Sequence, residues 1–422
     1  MGAAETSEHV SPPGGDPAQD FKWMARALAL ARKGEALAHP NPMVGAIVVA
    51  GGREVGRGFH TFDGVKHAEV LALEEAGGRA RGATLYLNLE PCCHTGRTAP
   101  CTDAILAAGI QRVVAAMADP NPRISGKSFE LLRRAGVEVV GGILEADARR
   151  LNEAFARWIR TGLPLVTLKV ALTLDGKIAL PRPPALGRRP ARGKRIPAPA
   201  KDRWITSEVS RAEVQRMRHA ADAVVTGIGT VIADDPLLTD RTGFPRRRPL
   251  VRVVLDSHLR LPLNCKLVRS AAGDVLALTR RSENSAKAWE LEQEGVETLC
   301  ILREPARHSQ GGKRKAIGAP GLPVGEVFRA LGELELLNVM IEAGPRLTAA
   351  ALASDVVDKA VLFYAPRFLG GTALDMLPRG GASGSARFEV LAGMPHLHHV
   401  TLQRFGPDFA VEGYVRDVYG DH

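Results

Sequence analysis

A chain of 422 residues is too long for one ordinary core, so two domains are the first expectation. Hydrophobic residues at 45% and charged residues at 24% describe a soluble globular protein, and no run approaches the roughly 18 apolar residues of a membrane helix. The net charge of +10 suggests nucleic acid, yet eight Lys or Arg against one Asp fall between Pro181 and Arg203, a segment with no aromatic side chain to stack on bases.

Residues 1–19 lack both a basic start and an apolar segment, so they read as a disordered lead-in rather than a signal peptide. Phe21 to Ala36 has apolar residues at helical spacing, with Asp20 as its expected N-cap. "MVGAIVVAGG" is a strand ending in a Gly-Gly turn, His67 to Glu75 a helix and "ATLYLNLEP" a strand. A helix over Cys101 to Ala108, the strand "RVVAAM", the helix "SFELLRRAG" and the strand "VEVV" follow. Strands alternating with helices imply a three-layer α/β domain over residues 20–162, with sites where strand ends meet helix starts. "LPLVTLKVALTLDGKIA" opens a second α/β domain, residues 163–422, interrupted at about 181–201 by a basic, proline-rich insertion that reads as an extended, solvated loop. "SRAEVQRMRHAA" is then a helix, with Ser210 and Glu213 spaced as a capping box. Strands are expected at "DAVVTGIGTV", "LVRVVLDS", "DVLALT", "VETLCIL", "NVMIEAG" and "KAVLFYAP", and "HVTLQRFG" with "FAVEGYVRDV" forms a closing antiparallel pair. Five cysteines, an odd number, give no disulfide framework and fit the reducing cytoplasm.

Three of those cysteines lie together, in "HAEVLAL…LEPCCHTGRTAPC". His-x-Glu followed by Pro-Cys and a further Cys is the signature of zinc-dependent deaminases of bases and nucleosides. Catalytic zinc takes three protein ligands and keeps one tetrahedral position open, and His67, Cys92 and Cys101 supply one imidazole and two thiolates. Glu69 then stands beside the activated water as the proton shuttle. Cys93 is a rival ligand, but adjacent side chains diverge and rarely reach one metal. A structural zinc is the bland alternative; it closes with a fourth ligand, which His94 could be.

These motifs, with "HPNPMVGAIVV" and "DPNP", resemble the bifunctional riboflavin-biosynthesis deaminase/reductase family, whose hallmark is a long cysteine spacing enclosing His, Gly-Arg-Thr and Pro. The family carries Ser where this chain has Cys93 and Pro where it has Ala99. The resemblance implies a cytidine-deaminase-like first domain, with Asn41, His60, His94 and Asn121 lining the pyrimidine pocket. Asn41 and His60 could equally be a turn residue and a strand end.

The second half offers no G-x-G-x-x-G fingerprint, only strand-to-helix turns that could hold an anion. Its motifs "LKVALTLDGKIA", "RWITS", "TGIGTVIADDPLLTDR", "VVLDS", "IEAGPRLTAAALA" and "APRFLGG" resemble, in that order, the family's NADPH-dependent, dihydrofolate-reductase-like domain. The resemblance implies a cofactor site lined by Ala171, Trp204, Thr230, Asp234, Ser257 and the stretch Gly344, Pro345, Arg346, Leu347, Thr348, Ala349 and Ala350. It places the sugar phosphate against Arg218, Leu238, Arg241 and Glu342, with Lys169 and Asp175 as further candidates. In relatives a phosphate-binding Ser occupies the position of Asp202; a carboxylate there would repel a phosphate, so Asp202 is not carried over. The implied substrate is a small phosphoribosylated pyrimidine, deaminated and then reduced, with Zn2+ and NADPH as cofactors. No nucleic-acid or membrane partner is expected, and the family suggests a homo-oligomer. A nucleoside or tRNA deaminase fused to an unrelated module fits the cysteine spacing and the second half less well, and a purely structural zinc protein would not need Glu69.

Overall fold

The computed structural model describes residues 16–179, 204–301, 321–378 and 395–420. The lead-in up to residue 15, the insertion at about 181–201 and Asp202 lie outside them. The chain divides between Arg160 and Thr161 into two compact units.

The first unit runs α1 (Pro17–Ala31), β1 (Gly45–Ala50), β2 (Arg53–Phe59), α2 (Ala68–Ala76), β3 (Thr84–Leu87), α3 (Cys101–Ala107), β4 (Arg112–Ala115), α4 (Lys127–Arg134), β5 (Glu138–Val140), α5 (Glu145–Leu151) and α6 (Glu153–Thr161). One sheet, ordered β2-β1-β3-β4-β5, joins them; β1 pairs antiparallel with β2 and β3, and β3, β4 and β5 run parallel. Gly51 and Gly52, both at positive φ, close the β1–β2 hairpin with the left-handed backbone such a turn needs.

Glycines decide how the helices lie on this sheet. A Cβ at Gly45 would overlap the Ala27 carbonyl of α1, and one at Gly58 would overlap the Ala68 carbonyl of α2. Ala46 lies opposite Gly58, so Gly45 and Gly58 face opposite sides of the sheet, and α1 and α2 cover its two faces. Gly58→Ala is therefore expected to push α2 outward and cost about 1–3 kcal/mol. Urea unfolding and faster zinc release to a chelator measure it, because α2 begins at His67 and contains Glu69.

Helix α1 starts earlier than its apolar spacing suggests. Asp16 is the N-cap, accepting from Ala18 N, and Pro17 fits the first turn, so residues 17–19 are helical rather than lead-in. Asp20 is not a cap. It is buried, with Arg112 donating to both its oxygens at 2.7 Å and the Tyr86 hydroxyl donating at 2.8 Å. Burial alone would raise its pKa; the Arg112 and Tyr86 hydrogen bonds outweigh that and hold it below the usual range.

The second unit runs β6 (Leu165–Thr173), β7 (Lys177–Ala179), α7 (Glu208–Ala220), β8 (Ala223–Gly227), α8 (Ile228–Asp234), β9 (Val251–Leu255), α9 (Lys266–Arg269), β10 (Val275–Thr279), α10 (Ala286–Gln293), β11 (Val296–Cys300), α11 (Val324–Glu333), β12 (Asn338–Ile341), α12 (Pro345–Ala353), β13 (Lys359–Ala365), β14 (Leu374–Asp375), β15 (His398–Phe405) and β16 (Asp408–Tyr414). Nine strands form one sheet, β11-β10-β9-β8-β12-β6-β13-β16-β15, in which only β16 runs against the rest; β7 and β14 pair separately. Its central strands are apolar on both faces. Val225, Val253 and Leu276 pack with α11, whereas Val224, Val254 and Ala277 pack with Ile228, Leu267 and Leu291 on the other side.

The expected strand "DAVVTGIGTV" breaks at Gly227, and α8 begins at Ile228. The expected capping box also moves: Ser207 caps α7 by accepting from Ser210 N. Ser210 is buried and its hydroxyl donates to Asp408 at 2.6 Å. A tertiary partner claims the side chain that spacing assigned to the helix end.

Candidate active sites

In the first unit, the ends of β3 and β4 and the starts of α2 and α3 converge. His67 is the N-cap residue of α2 and Cys101 the first residue of α3, while Cys92 sits in the loop after β3. His67 Nδ1 lies 3.1 Å from Cys101 Sγ and 3.5 Å from Cys92 Sγ, and the Cys101 amide donates to Cys92 Sγ at 3.3 Å. The three ligand atoms all lie within 4.8 Å of one another, the only such group among the described residues. One nitrogen and two sulfurs at this spacing suit zinc, and the absence of a fourth protein donor suits a catalytic rather than a closed site.

The Cys101 thiol, His67 and the Cys101 amide all hydrogen-bond to Cys92 and hold its pKa down to about 4, despite burial. The same sharing, with burial, pushes Cys101 up. His67 is raised by its hydrogen bond to Cys92. Glu69 is buried in the first turn of α2, and burial raises its carboxyl pKa, as a proton carrier requires.

His60 is almost wholly buried and its two nitrogens are both used: Nδ1 donates to Lys66 O at 3.0 Å, and Nε2 accepts from Asn41 Nδ2 at 2.9 Å. Its ring meets that of His67 edge-on, with centroids 5.3 Å apart. Burial lowers the pKa of His60 below the usual imidazole value. Asn41 is thus held beside the His-Cys-Cys cluster. The segment carrying it is pinned by Asn88 and Asn152, which exchange hydrogen bonds with the Met43 backbone and the Gly45 amide.

His94 is exposed on the long cysteine loop and Cys93 half-exposed beside it, outside the three-ligand group. Asn121 closes a turn, its amide donating to Asp119 and its side chain accepting from Arg123 N. Sequence reading passed over Asp119 itself. Burial lifts its carboxyl to about 6, and the charges of Glu90, His94 and Cys92 all act on it. "DPNP" gave the signal, but nothing local says that its Asp turns inward.

In the second unit the chain builds outward from β8 to β11, then returns to place β12 between β8 and β6. Such a reversal opens a crevice beyond the carboxyl ends of the strands. Thr230 of α8 approaches Gly344, the N-cap of α12, and Leu347 approaches Gly227, so the two strand-to-helix turns adjoin. Thr348 N is the first amide of α12 bonded within the helix, to Gly344 O, which leaves the Arg346 and Leu347 amides at the open end. Thr348 and Ala349 are buried in the helix's packed face and Ala350 is half-buried, so only the first turn of this stretch is at the open end. Ser257 follows β9 at the same end of the sheet; Trp204 is exposed and stacks on Arg211 at 5.1 Å, and Asp234 ends α8.

Alternation along β6 turns Val166, Leu168, Val170 and Leu172 into the core and leaves Lys169 and Ala171 on the other face. Lys169 Nζ lies 3.4 Å from Glu342 Oε2, and Arg218 grips Glu342 through Nε at 2.6 Å and Nη2 at 3.2 Å. Arg218 Nη1 also donates to Thr239 O, next to the buried Leu238, and Arg241 N donates to Gln215. Lys169, Arg218, Leu238, Arg241 and Glu342 therefore share one neighbourhood. Asp175 has other partners: it accepts from the Thr173 hydroxyl and from the Leu369 and Gly370 amides, and these hold it down to about 2. It latches the 367–371 loop.

Sequence reading also missed Asp240 and Arg246. Asp240 accepts from His219, Thr242 and Arg246, while Arg246 caps the last carbonyls of α7, fixing the segment between Arg218 and Arg241.

Residues 17–117 match the family described as the cytidine and deoxycytidylate deaminase zinc-binding region, and residues 164–411 match the RibD C-terminal domain. Fold and site thus define a zinc-dependent deaminase joined to an NADPH-dependent reductase of dihydrofolate-reductase-like fold. The chain is 41% identical over 351 residues to the riboflavin biosynthesis protein RibD of Aquifex aeolicus (strain VF5), covering 83% of this chain and 88% of that protein. The structure of Acinetobacter baumannii RibD superposes with a TM-score of 0.76 at 34% identity, over 94% of this chain and 99% of that one. The Thermotoga maritima diaminohydroxyphosphoribosylaminopyrimidine deaminase/5-amino-6-(5-phosphoribosylamino)uracil reductase gives 0.75 at 32% identity, over the same shares. The chain belongs to the RibD family of bifunctional riboflavin-biosynthesis enzymes. No helix among the described residues is long and apolar enough to cross a membrane.

Proposed function

We propose that the first unit deaminates 2,5-diamino-6-(5-phosphoribosylamino)pyrimidin-4(3H)-one, and that the second reduces the ribosyl group of the resulting uracil to ribityl phosphate. The observation that carries the first step is the His67, Cys92 and Cys101 triad with Glu69 buried beside it. Zinc, which that triad would hold, would supply a water whose pKa is lowered toward neutrality. Glu69 takes a proton from the attacking water and delivers it to the ring nitrogen; it then takes the proton of the hydroxyl newly bonded to carbon and passes it to the amino group, which leaves as ammonia as the carbon–nitrogen bond breaks and the carbonyl forms. Asn41, oriented by His60, with His94, Asp119 and Asn121, holds the pyrimidine.

In the second unit the open end of α12 with Thr230, Ala171, Asp234, Ser257 and Trp204 would hold NADPH, which would supply hydride to the sugar carbon while solvent supplies the proton its oxygen takes. Arg241, whose planar guanidinium can donate two parallel hydrogen bonds, takes the phosphate, and Arg218, its fork held by Glu342, adds positive charge beside it. Lys169, 3.4 Å from Glu342, polarises the opened sugar's carbonyl. Asp175, bound to its own loop, is assigned no contact with substrate.

Incubation with the diaminopyrimidinone ribosyl phosphate tests both steps through product masses. Exchange of an amino group for oxygen without NADPH, and gain of two hydrogens only with it, supports the order; reduction before deamination overturns it. Stripping zinc with a chelator should stop ammonia release and leave reduction of the deaminated intermediate intact, read as NADPH absorbance. We further place the enzyme in the cytoplasm as a homo-oligomer; light scattering reading a single chain mass would refute the assembly.

A further inference from the structure

Glu90 is a buried carboxylate that the chemistry above does not use. Its side chain is 3% exposed, and all its hydrogen bonds go to backbone amides of one distant segment. Oε2 accepts from Asp119 N at 3.0 Å and Gly126 N at 2.8 Å, and Oε1 accepts from Ser128 N at 2.9 Å. The Glu90 amide in turn donates to Met117 O at 2.9 Å. β3 and β4 are parallel neighbours, so Glu90 and Asp119 leave the sheet at the same end. Two residues after Glu90 comes Cys92, so the bond from the Asp119 amide reaches the stem of the cysteine loop.

Capping α4 requires only the Gly126 and Ser128 amides, which belong to the helix start. The Asp119 amide lies outside the helix. A carboxylate that takes it as well joins the cysteine loop to the segment that supplies Asp119 and Asn121. We infer that Glu90 is a positioning residue of the deaminase: it ties residues 119–128 to the Cys92 loop and fixes the pocket wall that receives the pyrimidine. The inference rests on the reading of the first unit as the pyrimidine deaminase.

Glu90→Gln nearly preserves size but turns an amide donor toward backbone donors, so at least one of the three hydrogen bonds is lost. The test uses the full-length zinc protein with the diaminopyrimidinone ribosyl phosphate, comparing Glu90→Gln, Asp119→Ala and the double variant. Zinc content and NADPH-dependent reduction of the deaminated intermediate are read alongside. Glu90→Gln is expected to keep its zinc and its reductase rate, and to raise the deaminase KM about tenfold with kcat within about threefold. Because it acts through Asp119 and its segment, it should worsen Asp119→Ala by less than about twofold. Glu90→Asp, which keeps the charge on a shorter arm, should restore part of the KM. An unchanged KM, a fall in kcat at constant KM, loss of zinc, or fully additive effects would each overturn the inference. A wild-type chain that releases no ammonia would instead remove the reading beneath it, whereas a normal wild type with an unaffected Glu90→Gln removes the inference alone.

Discussion

Replacing Glu69 with Gln is expected to slow ammonia release by about a thousandfold, the middle of the range for a lost general acid–base. Zinc should stay bound, because His67, Cys92 and Cys101 make the ligand group without Glu69. The fold should also hold: Gln fits the same space, and removing a charge from a site where burial already raises the carboxyl pKa relieves a cost. Reduction of the deaminated intermediate by the second unit, measured on the same preparation, serves as the internal control. Deamination at the wild-type rate would rule Glu69 out as the proton carrier. Loss of zinc would show that it supports the metal instead.

The second large effect belongs to Glu342. Burial pushes its carboxyl pKa up, but Lys169 and Arg218 outweigh burial and hold it below the usual carboxylate range. Their side chains are 14%, 12% and 11% exposed for Lys169, Glu342 and Arg218, so solvent screens them little. Glu342→Gln leaves two cations facing each other. It should destabilise the second unit by about 3 kcal/mol, the lower end for breaking a buried pair, and abolish NADPH oxidation while deamination continues. The sign of the pH dependence follows from the direction of the shift. Because the folded pKa lies below the unfolded value of about 4.3, the contribution is present above that value and is lost as pH falls through the folded one. Urea unfolding of the second unit at stepped pH should therefore show wild type and variant converging in acid. Parallel curves would mean that Glu342 is not the group responsible.

Much of both sites was legible in the sequence because the determinants are local. His67 and Glu69 are two apart at a helix start, and the metal chemistry of imidazole and thiolate limits what a Pro-Cys and a later Cys can do with them. Helices and strands were found wherever the apolar period was clean, as in α4, β9, β10 and β13. The misses have a common cause. Asp20, assigned to cap a helix, instead binds Arg112 and Tyr86, 92 and 66 residues away. Ser210, assigned the same role, binds Asp408 across 198 residues. Polar side chains that look like local caps were taken by partners that only folding brings near.

The sequence by itself determined the donor set, the order of the two domains and the periodicity of their strands, since each depends on residue type and short spacing. Tertiary structure decided which charges come together. Asp175 and Lys169 lie six residues apart, yet one latches a loop while the other meets Glu342 and Arg218. Strand alternation puts Lys169 and Ala171 on the site face, but the return of β12 between β8 and β6 is what sets Glu342 beside Lys169. Asp119 and Glu90 likewise acquire their neighbours from the parallel pairing of β3 and β4, a contact between distant segments that no short stretch of sequence encodes.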